Sequence, residues 1–429
     1  MSALVDLEAR QRVQLDALLS TALNAAGVEG KLERFLPSVP LGRTVVIGGG
    51  KAAAAMANEL ARLWPAPLSG AVVVPYGHQS PSYSGPIQIL EAGHPVPDGN
   101  SVVAADRMME LVKDLSHDDL VIALMSGGAS ALLVGLPEGV SLEDKQGLNK
   151  ALLKSGATIS EINAVRKQIS TVKGGRLAHA VGKARLLTLA VSDIPGDDIR
   201  KIGSGPTIAN AAEAVAATPI LERYGIDVPE SINRHLRKGL DNPSPDDRSR
   251  RAGDSAFLIV KPGDILIAAA RCAKSVGYKP IILGDDLEGE ARELGSAHAK
   301  LALETLRAGR RACILSGGET SVTVSGRGRG GRNSEYLLGF VLATAGQEGI
   351  AALAVDTDGL DGAGDNAGAV AFASTLTRAA GKKLDAAAYL RRNDSYSFFA
   401  ALDDLVVTGP TCTNVNDFRA ILIDPVIDR

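Results

Sequence analysis

The 429-residue chain is long enough for two domains of ordinary size, and its 45% apolar content can fill large cores. With 46 basic against 49 acidic side chains, a net charge of −3, it lacks the positive excess of a dedicated nucleic-acid or polybasic membrane binder. Cys272, Cys313 and Cys412 are widely spaced, fit neither a disulfide framework nor a zinc knuckle, and point to a reducing cytoplasm. Neither a secretory leader nor a membrane span is expected, because the charged N-terminus has no apolar stretch and no run of about 18 apolar residues occurs.

Leu4, Leu7, Leu15, Leu18, Ala22 and Ala26 share one face of an N-terminal helix, with Gln11 as its polar interruption. Residues 44–47 then read as a strand, Gly48-Gly49-Gly50 as a turn and 52–63 as a helix, the opening of an α/β unit. The stretch 75–100, punctuated by prolines, reads as surface loop around one strand at 87–90. An apolar run at 120–125 precedes Ser126-Gly127-Gly128, and one at 186–191 precedes Ser192-Asp193. Residues 225–254, with Pro229, Pro243, Pro245 and the charge run at 246–251, read as an exposed linker. Beyond it, 312–315 precedes Ser316-Gly317-Gly318, and 351–355 precedes Asp356-Thr357-Asp358-Gly359. The expected fold is α/β in two domains, 1–245 and 255–429. Continuous apolar runs suit strands buried on both faces, hence a largely parallel sheet, whose ligands gather at the carboxyl ends of its strands.

The turns are therefore where chemistry is sought. Gly49 and Gly50 let backbone N–H groups approach an anion, and Lys51 adds a point charge, although the spacing is not that of a P-loop. The loop Gly326-Arg327-Gly328-Arg329-Gly330-Gly331-Arg332-Asn333 formally satisfies G-x-G-x-x-G, between a strand-like 320–325 and a helix-like 334–345, so a dinucleotide site is its rival reading. Three interleaved arginines instead suit mobile glycine hinges that present guanidinium groups to a polyphosphate. Asp356, Asp358 and their acidic neighbours suit magnesium, with one or two carboxylates plus substrate phosphate; the alternative is an acidic helix-capping turn. Asp193, directly after a buried strand, is a candidate functional carboxylate, while His94 between rigid prolines reads more readily as structural. Thr408 to Asp417 is dense in hydroxyl and amide donors suited to a hydroxy acid or a phosphate.

Taken together, these turns resemble the glycerate 2-kinase family, the MOFRL-type glycerate kinases once labelled hydroxypyruvate reductases. The likeness runs in order through 46–52, 93–98, 126–132, 162–167, 192–198, 203–207, 316–320, 328–333, 356–359 and 408–417. Two departures stand out: Ser334, where the family usually has Gln, and Cys412, where it usually has Gly. The resemblance implies an N-terminal three-layer Rossmann-like domain and a smaller C-terminal α/β domain of the MOFRL type, with the active site in the cleft between them. It implies ATP, a divalent cation such as Mg2+, and phosphoryl transfer to the 2-hydroxyl of D-glycerate. Lys51 and Arg332 match the family's essential basic residues. On this reading Ser126, Gly127 and Gly128 supply backbone donors. Asp193 is the metal ligand or hydroxyl-orienting base, with Asp356 or Asp358 as second choice for the metal. Gly49, Gly50, Ser316, Gly317, Gly318, Glu319, Arg329, Asn333 and Asn414 hold substrate or nucleotide. Rival functions are an NAD(P)H-dependent hydroxypyruvate reductase and a non-catalytic sugar-acid sensor. No nucleic acid or membrane partner is expected, and a homodimer is expected only from the prevalence of two-fold assemblies.

Overall fold

Short apolar runs, each closed by glycine or a small polar residue, become the strands of two six-stranded sheets. The computed structural model describes residues 2–79, 85–208, 216–239, 253–362 and 364–425. It divides into two units, Val28–Ile259 and a second made of Met1–Gly27 with Val260–Arg429.

In the first unit, β1 (Thr44–Gly49), β2 (Leu68–Pro75), β3 (Gln88–Ala92), β4 (Leu120–Met125), β5 (Arg185–Val191) and β6 (Ser255–Val260) take the order β3-β2-β1-β4-β5-β6. β1 to β5 pair in parallel, and β1 and β4 are buried along their whole length, as the apolar runs require. This is the doubly wound order, and its direction reverses between β1 and β4. One core, with Ile47, Val73, Met108, Val121 and Leu132, packs on the sheet. A separate helical core, built on Leu148, Leu152, Val165, Ile220 and Ile232, joins the helices Leu142–Lys154, Ile159–Gln168, Ala217–Arg223 and Glu230–Gly239. The last of these lies inside the stretch read as linker. Ile232 and Leu236, four residues apart, give it a buried face, and the charge run at 246–251 lies outside the described residues.

The second unit holds β7 (Lys279–Leu287), β8 (Ala312–Gly318), β9 (Ile350–Asp356), β10 (Gly368–Ala371), β11 (Leu405–Val406) and β12 (Asp417–Ile423), in the order β11-β10-β9-β12-β8-β7. Only β7 and β8 pair in parallel. β12 runs antiparallel between β8 and β9, so the expectation of a largely parallel sheet fails here. A strand covered on both faces reads as a continuous apolar run whichever way its neighbours point, so the pattern carried no information about direction.

The N-terminal helix Ser2–Ala26 groups with this second unit rather than with the residues that follow it, in contrast to the expected 1–245 domain. Its apolar face packs against the helix Pro262–Ser275 and against β9 and β12. Gln11, the polar interruption, is buried and donates its amide to Asp424 at 3.0 Å. No helix among the described residues is long and apolar enough to cross a membrane.

Candidate active site

In the first unit the turns after β1 and β4 lie side by side at the switch point. Lys51 N donates to Gly127 O at 2.8 Å, and Ser126 N donates to Gly49 O at 3.1 Å. The buried Ser126 hydroxyl accepts from Ala52 N at 3.0 Å and so fixes the start of the helix Ala53–Leu63. Gly50 has φ of +128°, and a Cβ there would collide with Ser126, so the approach of the two turns requires glycine. Gly128 has φ of +85° and begins the short helix Ala129–Leu132. The point its Cβ would occupy is 3.2 Å from the His94 ring and 3.6 Å from Lys51 Cγ. His94, read from sequence as structural, therefore adjoins Lys51 and Gly128. Its local signal, a histidine between glycine and proline, does not separate a framework residue from a site residue. Asp193 follows β5, the strand next to β4, at the same carboxyl edge.

The second unit presents a different arrangement. Arg332 begins the helix Arg332–Thr344, and its guanidinium is engaged on three sides. Nε meets Asp417 Oδ1 at 2.8 Å, Nη2 meets Asp356 Oδ2 at 2.7 Å, and Nη1 meets Glu319 Oε1 at 3.1 Å. Burial disfavours its charge, but Asp417, Asp356 and Glu319 outweigh that and hold the group above its ordinary range. Asp417 is fully buried and also accepts from Asn333 Nδ2 at 2.7 Å and from Arg419. Asn333 Oδ1 is buried without a hydrogen-bond partner. A cavity of about 320 Å³ opens here, lined by Val322, Val324, Gly330, Arg332, Glu335 and Asn393, at the small end of the range for small-molecule sites.

The arginine loop is held rather than hinged. Asn393 Oδ1 accepts from Ser325 N and Gly326 N, Gly328 N donates to Arg392 O, and Arg329 N donates to Asp394. Cβ atoms at Gly326, Gly328, Gly330 and Gly331 would strike Arg392, Asp394, Ser395 and Asp361. These glycines thus serve close packing, which corrects the reading of mobile hinges. Arg329 lies 4.1 Å over the Tyr396 ring. No strand precedes the loop; 320–325 contributes only an isolated bridge, Ser321 to Glu290. The amides that a helix start would offer an anion, Asn333 N and Ser334 N, donate at 2.9 and 2.8 Å to the buried carboxylate of Asp361. Sequence reasoning had passed over Asp361 as one of several acids in a polar loop.

Ser316, Gly317 and Gly318 do not form a turn like that at Ser126. They continue β8 and are buried, and Gly317 O accepts from Arg419 at 2.8 Å. Of that group only Glu319 reaches solvent. Asp356 and Asp358 are buried in one turn, where Asp356 Oδ1 accepts from Asp358 N at 3.1 Å and Asp358 Oδ1 from Leu360 N at 2.8 Å. With its other oxygen on Arg332, Asp356 is already engaged by protein. Among the described residues no group of three or more His, Cys, Asp or Glu side chains is placed to hold a metal. The 408–417 loop is stitched to this turn: Thr411 N donates to Asp358 O and Thr357 N to Asn416 O, while Asn414 Oδ1 accepts from Asn416 N. Cys412 stands in the left-handed region at φ of +56°, the conformation for which glycine is the natural residue. Ser334 is buried, bonded to Gly331 and Ser395.

A family model described as a domain of unknown function (DUF4147) matches residues 8–237, and the MOFRL family model matches 312–417. The chain is 37% identical to the D-glycerate 2-kinase of Thermotoga maritima, over 97% of this chain and 99% of that protein. It is 48% identical to an Agrobacterium vitis protein provisionally named a hydroxypyruvate reductase, over 97% of this chain and 95% of the relative. The crystal structure of the Thermotoga maritima glycerate kinase superposes with a TM-score of 0.85 at 36% identity, over 97% of this chain and 100% of the other. The chain belongs to the glycerate 2-kinase family, with the DUF4147 match preceding the MOFRL match.

Proposed function

We propose that this protein is an ATP-dependent glycerate 2-kinase that transfers the γ-phosphoryl of ATP to the 2-hydroxyl of D-glycerate, giving 2-phosphoglycerate. The observation that carries the reading is the pair of glycine turns with Lys51 at the sheet's switch point, in a chain alike to glycerate kinases from end to end. Phosphoryl transfer requires position and charge neutralisation rather than covalent chemistry. Lys51 supplies a point charge and the Ser126-Gly127-Gly128 turn supplies backbone donors, while His94 borders the same space. Arg332 is oriented by Asp417 and Asp356. Its contact with the solvent-reaching Glu319 is the one a phosphate oxygen can replace. On this reading Lys51 and Arg332 both neutralise charge on the transferring phosphoryl group.

Magnesium, when bound, would neutralise charge on the β- and γ-phosphates. Asp193 is the carboxylate we assign to it, since one protein carboxylate plus nucleotide phosphates and waters satisfies this ion. A cytoplasmic location, read from three cysteines that form no disulfide with one another, and a homodimer belong to the same proposal.

The reductase reading draws on the Agrobacterium vitis relative's name. Against it, no strand runs directly into the formal glycine fingerprint, since β8 ends at Gly318, and Asp361 fills the helix start where a dinucleotide pyrophosphate would sit. Phosphorus NMR of the product from D-glycerate and ATP tests the proposal. 2-Phosphoglycerate is expected; NADH consumption with hydroxypyruvate in the absence of ATP, and no phosphorylated product, would overturn it.

A further inference from the structure

Arg166 lies in the family-like stretch 162–167, outside the turns that carry Lys51 and Arg332. In the first unit it belongs to a group of four cations. Lys145 Nζ donates to Ile169 O at 2.6 Å and to Gly135 O at 3.4 Å. Lys173 Nζ donates to Ser130 O at 2.6 Å and Ser130 Oγ at 3.0 Å, and Ser130 Oγ lies 2.9 Å from Ser204 Oγ. Arg176 Nη1 donates to Lys167 O at 2.7 Å and Lys173 O at 3.0 Å, and Arg166 Nε donates to Asn149 Oδ1 at 3.1 Å. Every acceptor is a carbonyl, amide or hydroxyl oxygen; among the described residues no carboxylate lies within ion-pair distance of any of the four.

Both lysines are buried, and the charges are close enough to be felt by one another. Burial, with Arg166 and Arg176, brings Lys145 down to about 8, and burial, with Lys145 and Arg166, holds Lys173 well below its ordinary range. Such a group is costly. Buried cations ordinarily sit beside carboxylates, and an uncompensated one is strongly destabilising. Two of the carbonyls, Lys167 O and Ile169 O, end the helix Ile159–Gln168, but a helix C-terminus offers only about half a negative charge. The half-buried arginines also keep donors in reserve, for Arg166 gives protein only its Nε and Arg176 only its Nη1. Through Ser130, the group is joined to the helix that starts at the Ser126-Gly127-Gly128 turn.

We propose that Arg166 and Arg176, backed by Lys145 and Lys173, form an anion-binding site beside the Ser126-Gly127-Gly128 turn that takes a small oxyanion, either a carboxylate or a phosphate group. If the kinase reading holds, the oxyanion is the carboxylate of D-glycerate or a phosphate of the nucleotide. The site deepens that reading but does not need it, because inorganic phosphate is its direct probe.

The test is titration calorimetry of the full chain and its Arg166→Gln, Arg176→Gln double variant with inorganic phosphate, D-glycerate and ADP separately, with melting as the check on folding. Loss of charge-assisted hydrogen bonds is expected to weaken phosphate and one of the other two roughly 10- to 100-fold. Weaker D-glycerate binding assigns the substrate carboxylate, and weaker ADP binding assigns the nucleotide phosphate. Should the double variant fold poorly, the unmodified protein still decides: phosphate is expected to shield Arg166 and Arg176 from phenylglyoxal, read by peptide mass mapping. Equal binding of all three ligands by a folded variant, or unshielded arginines, would overturn the site. Absence of glycerate phosphorylation by the parent protein, with arginine-dependent phosphate binding intact, would instead sink the kinase reading alone.

Discussion

Replacing Arg332 with Met is expected to damage stability as well as turnover, and the two effects can be separated. The substitution removes the partner of Asp356 Oδ2 and of Asp417 Oδ1, both nearly or fully buried. Asp417 keeps Arg419 and Asn333, and Asp356 keeps the hydrogen bond from Asp358 N. Removing one partner of a buried ion pair costs about 3–5 kcal/mol. In a unit of this size that corresponds to a fall in Tm on the order of 10 °C. Neutralising the carboxylate that loses its countercharge should recover part of the loss, so Arg332→Met, Asp356→Asn is expected to melt above Arg332→Met alone. Glycerate kinase activity, assayed well below both transitions, should remain depressed in the double variant, because the guanidinium is still missing. Differential scanning calorimetry with coupled product assays measures both quantities. An Arg332→Met protein that melts with the parent, or a double variant that melts lower still, would show that the three carboxylates do not depend on Arg332 as described.

Lys51→Ala should lower kcat by roughly 100-fold or more while moving KM for D-glycerate little, since its charge acts on the transferring group; an unchanged kcat removes Lys51 from the chemistry. Cys412→Gly should be more stable than Cys412→Ala by about 1 kcal/mol, because both cysteine and alanine bear the left-handed strain that glycine does not; chemical denaturation giving the reverse order refutes this. His298 is buried against Tyr336, with Nδ1 2.8 Å from its hydroxyl, and burial depresses it from 6.5 to about 4. Between those values the unfolded chain binds the proton and the folded one does not, so stability falls as pH drops through that window, by at most about 3 kcal/mol. A His298→Gln variant should lose that part of the slope, and an identical pH profile would refute the assignment.

Much of the local structure was written in the chain itself. The apolar runs before Ser126 and Asp193 marked buried strands because a strand covered on both faces needs apolar side chains throughout. Gly50 and Gly128 marked turns that only small residues can bring together, although Gly48 and Gly49, read as part of the first turn, belong to β1. Their composition also fixed Lys51 and its turn as the place to look for anion chemistry. Other features arise only when distant segments meet. Sequence spacing could not tell that Ser316-Gly317-Gly318 runs on as strand while Ser126-Gly127-Gly128 turns, since the difference lies in β7, which pairs alongside β8 as far as Gly318. Nor could it show that Asp361 would claim the helix start at Arg332, or that Asp356 would bind an arginine rather than await a metal. The role of a charged group depends on which opposite charge lies within a few ångströms and how much water is excluded, and both are properties of the folded chain.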